Sequence, residues 1–276
     1  MSGIKQGFLF VWLSLKRATS NPIYWKYFGL LFLGGIIFLT ISWIPAYFVL
    51  LFLGTQFWGL FALGVIAIVL LISLLAWGEI LSLPITRAYS QREFDTNASQ
   101  PGEGTINLGG WQAMLGLALA KPYLKLNKKA HLSKNAYLAK PIIALENIKL
   151  TPAIERTNFL AENQSLYFNP GIIKVHFVSW LIFFISLIVG IGLGTALGLW
   201  LTQSPLTTLP QRLGGLAAAM FIAFVFTMIG IAISSLSRGL YDANLFQWVS
   251  DMQDPAKLGT KNLVAMPGMI NQVLSQ

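Results

Sequence analysis

The sequence predicts an all-α integral membrane protein: four transmembrane helices in two hairpins, with an N-terminal interfacial helix and a cytoplasmic insertion between the hairpins. Three observations predict it. First, the apolar runs Ile173 to Leu201 and Leu213 to Leu236 flank a polar turn, Thr202 to Arg212. Each exceeds the roughly 20 residues that cross a bilayer core. Second, two further runs, Tyr24 to Leu53 and Phe57 to Leu83, meet at the short turn Gly54-Thr55-Gln56. Third, 55% of the residues are hydrophobic and only 11% are charged, against about 25% charged in a soluble domain. The chain therefore divides into an interfacial helix (1–20), a first hairpin (24–84), a basic cytoplasmic segment (85–171), a second hairpin (172–240) and a cytoplasmic helix and tail (241–276).

Ile4, Phe8, Val11, Trp12 and Leu15 share one face of the first helix, and Lys16 and Arg17 follow it. Such a helix suits the membrane interface, with the basic pair at lipid phosphates, or packs against the rest of the chain. Ser20-Asn21-Pro22 breaks it. Tyr24, Trp25 and Tyr27 then open the first span as an aromatic belt. Pro45 is the expected bend in that span, and Pro84 the expected end of the second. Residues 91–110 read as a loop. Residues 106–120 are mildly apolar but too short to cross, so they read as interfacial, re-entrant or part of a soluble fold. Thr151-Pro152 is the expected start of a helix, with Thr as its cap. Leu240, Leu245, Phe246 and Val249 continue the fourth span as a helix that Asp254-Pro255 ends, leaving a loosely ordered tail.

Charge sets the expected orientation. Of the 19 Lys and Arg, Arg212 alone falls in a turn opposite the termini. Basic residues collect on the cytoplasmic side, which places both termini and the long segment in the cytoplasm. The net charge of +9 is then a membrane signature, and no nucleic-acid partner is expected, since no recognised module accompanies it. Lys121, Lys125, Lys128 and Lys129, with Lys16 and Arg17, are the candidates for contacting anionic lipid headgroups. With no cysteine and two distant histidines, His131 and His176, no metal or other cofactor is expected.

Two constellations lie inside the spans. Gly190, Gly194 and Gly198 recur every four residues, and in an antiparallel hairpin they meet Gly214, Gly215, Ala218 and Ala219. Small residues let helix backbones approach closely in lipid. Gly190-Ile-Gly-Leu-Gly194 superficially matches a dinucleotide loop, but no strand precedes it, so packing explains it better. The second constellation is Glu79, eight residues before Arg87 and so roughly 12 Å below it. A carboxylate there is costly unless it is paired or reaches water. Lys174 and His176 stand in the same leaflet and are its expected partners.

The stretch Pro141-Ile-Ile-Ala-Leu-Glu146, continuing to Ala153-Ile-Glu-Arg156-Thr157, resembles a Pro…Glu…Ala-x-x-Arg-Ser pattern that precedes the last hairpin in some bacterial inner-membrane proteins. These include uncharacterised proteins and the membrane domain found beside glycerophosphodiester phosphodiesterases. Ser14-Leu-Lys-Arg17 and Leu240-Tyr-Asp-Ala-Asn-Leu245 are similar to theirs as well. The resemblance implies fold kinship and a bacterial inner membrane, but no active site. Those proteins usually have six spans, whereas the polar stretch 105–140 stands here in place of the middle pair. No HExxH, GxSxG or acidic metal pattern occurs, so the expected role is non-enzymatic: a scaffold or accessory subunit acting through its cytoplasmic face, with another membrane protein or a second copy as partner. The alternative is a small transporter, with Pro45 breaking its helix, or a lipid-handling membrane protein.

Overall fold

The structure is a computed structural model, and it describes residues 3–54, 56–93, 139–144, 146, 149–164, 174–202, 209–253 and 268–274. All described elements are helical: α1 (Gly3–Thr19), α2 (Pro22–Leu53), α3 (Phe57–Glu93), α4 (Leu150–Gln164), α5 (Val175–Thr202), α6 (Leu209–Gln253) and α7 (Gly268–Leu274). A helical turn over 139–144 precedes α4. Four helices are long and apolar enough to cross a membrane, over Tyr24–Leu53, Phe57–Tyr89, Val175–Leu201 and Ala217–Trp248. All four show little apolar asymmetry around the helix. Residues 106–120 and the lysines at 121, 125, 128 and 129 lie outside the described residues.

Pro84 does not end the second span as expected. α2 runs unbroken from Pro22 to Leu53 through Pro45, and α3 runs through Pro84 to Glu93. Proline removes one backbone hydrogen bond, here to the Ile80 carbonyl from position 84 and to the Ile41 carbonyl from position 45, and membrane helices tolerate that loss where neighbouring helices pack around it. Around Pro84, Ser82 Oγ donates to the Glu79 carbonyl at 2.5 Å, and Thr86 Oγ1 to the Ser82 carbonyl at 2.8 Å. Before Pro45, Ser42 Oγ donates to the Phe38 carbonyl at 2.8 Å. α4 begins at Leu150, where the Lys149 carbonyl accepts from Ala153 N at 3.1 Å, so Thr151 lies within the first turn rather than capping it.

The core sits at one end of the spans. There α1, α3, the 139–144 turn, α4, α5, α6 and α7 gather around Phe10, Leu83, Ile142, Ile143, Val175, Leu236, Leu240, Tyr241, Met269 and Val273. A second cluster, built from Leu31, Leu74, Phe183, Phe224, Met228 and Ile231, joins α2, α3, α5 and α6 further along. The tail is a correction to the sequence reading: residues 268–274 form α7, and Met269, Ile270 and Val273 are buried against α1 and α6. Those three apolar residues at i, i+1 and i+4 have a receiving surface that local sequence does not reveal. α1 is packed too. Gly7 lets it approach α5 so closely that an added Cβ would lie 2.8 Å from Val178 Cγ2, and Gly3 O accepts from Lys174 N at 3.1 Å.

Toward the opposite end the two pairs of long helices differ. α5 and α6 pack along each other for most of their length. α2 and α3 pack together where Gly34 receives the Trp77 indole, and Trp77 stacks edge-on to Phe38 at 6.3 Å. Beyond that point Ile44, Tyr47, Phe48, Phe52, Phe57, Trp58, Phe61 and Ile68 are all exposed. Gly54, at φ 58°, makes the tight link between them.

Candidate functional site

Two buried cations converge on Glu79. Its carboxylate is held from two sides: Oε2 lies 3.0 Å from Lys140 Nζ and Oε1 2.5 Å from Arg238 NH1. The Lys140 and Arg238 side chains are only 6% and 7% exposed, and that of Glu79 20%. Arg238 also donates from Nε to the Ser234 carbonyl at 3.2 Å, and its guanidinium stacks 5.2 Å over the Trp180 ring. One carboxylate on α3 thus ties together the 139–144 turn, α6 and, through Arg238, α5. In low dielectric each charge needs a partner, and two cations share this one anion.

A second pair lies one helical turn further along α6. His176 Nε2 is 3.0 Å from Asp242 Oδ1. Asp242 is 3% exposed and His176 41%, so the acid is enclosed and the imidazole is its cover. The His176 ring packs edge-on to Tyr241 at 5.8 Å, and Tyr241 edge-on to Phe10 of α1 at 5.3 Å. Nearby, Tyr89 on α3 and Asn244 on α6 exchange hydrogen bonds of 3.3 and 3.0 Å.

This arrangement corrects the expected pairing. Glu79 takes Lys140 and Arg238 instead of Lys174 or His176, His176 takes Asp242, and the Lys174 side chain is exposed. The physical reason is that the 139–144 turn is buried: Ile142, Ile143 and Ala144 are fully enclosed and carry Lys140 down to the depth of Glu79. The apolar run Pro141-Ile-Ile-Ala-Leu after Lys140 is the signal that the sequence offers. Asp242 and Arg238 stand one turn apart in the buried continuation of α6. Glu146 and Arg156, from the stretch carrying the family resemblance, form a looser pair at 3.7 Å.

The small-residue row lies along α5 and α6. A Cβ on Gly194 would strike the Ala219 carbonyl, one on Gly190 would lie 2.6 Å from Phe226 Cβ, and one on Gly198 3.1 Å from Ala219 Cβ with the Gly215 carbonyl at 3.7 Å. Ala218 is not among these nearest contacts. The row continues toward the charged end: Gly230 packs on Ser186 and Phe183, and Ser186 Oγ donates to the Phe226 carbonyl at 2.9 Å. Beside the glycines a groove of about 370 Å³ is lined by Ile191, Gly194, Thr195, Gly198, Leu199, Ala219, Met220 and Ala223. Gly192 faces open space. Of the candidate headgroup residues in α1, Lys16 is exposed and Arg17 half-buried.

Comparison with known proteins returns no match: no family model, no curated protein and no solved structure aligns with this chain. Among the described residues no three His, Asp or Glu side chains gather as metal ligands.

Proposed function

We propose that this chain is a non-enzymatic membrane scaffold or accessory subunit that acts through its cytoplasmic face, partnered by another membrane protein or by a second copy of itself. The observation that carries this reading is the use made of the charged groups. Glu79, Lys140, Arg238, His176 and Asp242 are committed to pairs that join α3, the 139–144 turn, α5 and α6. Reaction centres present such groups to a cleft, whereas here they hold helices together. The exposed outer halves of α2 and α3 add apolar helix surface on which a partner span can pack.

In this reading the four spans form two hairpins, with both termini and the basic segment between the hairpins in the cytoplasm, as the distribution of Lys and Arg favours. The resemblance around residues 141–157 supports kinship with the bacterial inner-membrane proteins named above, and so a bacterial inner membrane. Lys121, Lys125, Lys128 and Lys129 would meet anionic headgroups of that face. The alternative, a lipid-handling membrane protein, is favoured by the apolar groove between α5 and α6, whose lining suits an acyl chain. Purification in mild detergent followed by mass analysis separates the two. A specific co-purifying protein or a defined oligomer supports the scaffold. A stoichiometric lipid or solute on a monomer supports the carrier.

A further inference from the structure

α1 has two working sides. Phe10, Val11, Ser14 and Ala18 are buried in the core, and Gly7 is pressed against Lys174 and Val178 of α5. That contact fixes α1 at the level where α5 begins. On the flank beside the packed face, Ile4, Phe8 and Trp12 recur every four residues and are 38%, 44% and 65% exposed. Lys5 and Lys16, both exposed, fall on the next strip around the helix. The apolar flank also leads into the first span. Trp25, at the start of α2 and 58% exposed, donates from Nε1 to the carbonyl of Thr19, the last residue of α1, at 3.4 Å. Trp25 in turn packs edge-on to Phe28 of the same span.

We infer that the Ile4–Phe8–Trp12 flank of α1 is inserted in the bilayer leaflet on the side of the termini, with Lys5 and Lys16 at anionic phospholipid headgroups. Three exposed apolar side chains, one of them Trp, beside a strip of lysines is the chemistry of a helix at the boundary between acyl chains and headgroups. Continuity with the exposed aromatic start of α2 selects lipid over a soluble partner. Because the other side of α1 is built into the core, the helix couples that leaflet to the α5–α6 end that carries the His176–Asp242 pair, through Phe10 and Tyr241. The inference is independent of the scaffold reading and holds whichever partner the spans have.

The chain has no cysteine, so a single introduced one reports a single site. The full chain carrying Phe8→Cys, Trp12→Cys or Lys16→Cys, each bearing a nitroxide, would be placed in vesicles of phosphatidylethanolamine and phosphatidylglycerol. Collision rates with oxygen, which partitions into lipid, and with a water-soluble nickel chelate would then be measured. At positions 8 and 12 we expect oxygen collisions to dominate and nickel collisions to be lost relative to position 16. If the chelate reaches 8 and 12 as freely as 16, the flank faces water and the inference fails. If neither reagent reaches 8 and 12, protein covers the flank, and the inference fails in favour of a docked chain. A second comparison, in vesicles of phosphatidylcholine alone, should give a shallower label at position 12; unchanged depth removes the role given to the lysines.

Discussion

Glu79→Gln is the most informative single change in the chain. It keeps the shape of the side chain but removes the one anion between two buried cations, Lys140 at 3.0 Å and Arg238 at 2.5 Å. Breaking a buried ion pair by removing one partner typically costs about 3–5 kcal/mol. Glu79 is 20% exposed and retains hydrogen-bonding capacity as Gln, so the lower end of that range applies, about 3 kcal/mol. Arg238 keeps its Ser234 carbonyl and its Trp180 ring, which leaves Lys140 as the group most exposed to the loss. Glu79→Gln combined with Lys140→Met should therefore recover roughly 1 kcal/mol or more relative to the sum of the singles, well beyond the few tenths seen for independent sites. The assay is reversible unfolding in mixed micelles, read as a double-mutant cycle. Additive singles, or a Glu79→Gln variant as stable as the parent, would refute the clasp.

The seam predicts a contrast between neighbours. Gly194→Ala meets the Ala219 backbone and should cost about 1–3 kcal/mol, whereas Gly192→Ala has open space and should leave the thermal midpoint unchanged. Gly34→Ala drives a methyl into the Trp77 indole and should shift the near-ultraviolet circular dichroism of that tryptophan as well as the midpoint. His176→Phe leaves the enclosed Asp242 carboxylate without its described partner and should destabilise by about 2 kcal/mol or more. Adding Asp242→Leu should restore part of it in chemical denaturation, as replacing both partners generally does. In intact cells, cysteines at Ser99 and Ser133 should resist a membrane-impermeant thiol reagent; ready labelling of both would reverse the orientation.

The spans were legible because long apolar runs carry their own signal, independent of what they touch. The glycine spacing in α5 was legible for the same reason: a four-residue repeat defines a face, and short-range antiparallel packing brings it to α6. What sequence did not reveal depends on distant chain. Lys140 reaches Glu79 across 61 positions, and the apolar run after it signals burial without naming the partner. Pro84 signals a helix end in water, yet inside a bundle the packing of α3 against α6 carries the helix through it. α7 is a seven-residue helix, too short to stand alone; the core surface offered by α1 and α6 makes it form. Asp242 was visible as a residue and invisible as a partner, because His176 lies 66 positions earlier.

The scaffold reading requires that the exposed ends of α2 and α3 nearest Gly54 pack against another membrane span. Photo-crosslinking in the native membrane tests it directly. A benzophenone amino acid would be placed at Ile44, Phe48 or Ile68, all exposed on α2 and α3, and at Ile188, exposed on α5. The account predicts a protein adduct of defined mass from one or more of the first three positions, identifying either a second copy or a distinct membrane protein. Lipid adducts alone at Ile44, Phe48 and Ile68, with the same yield as at Ile188, would contradict it.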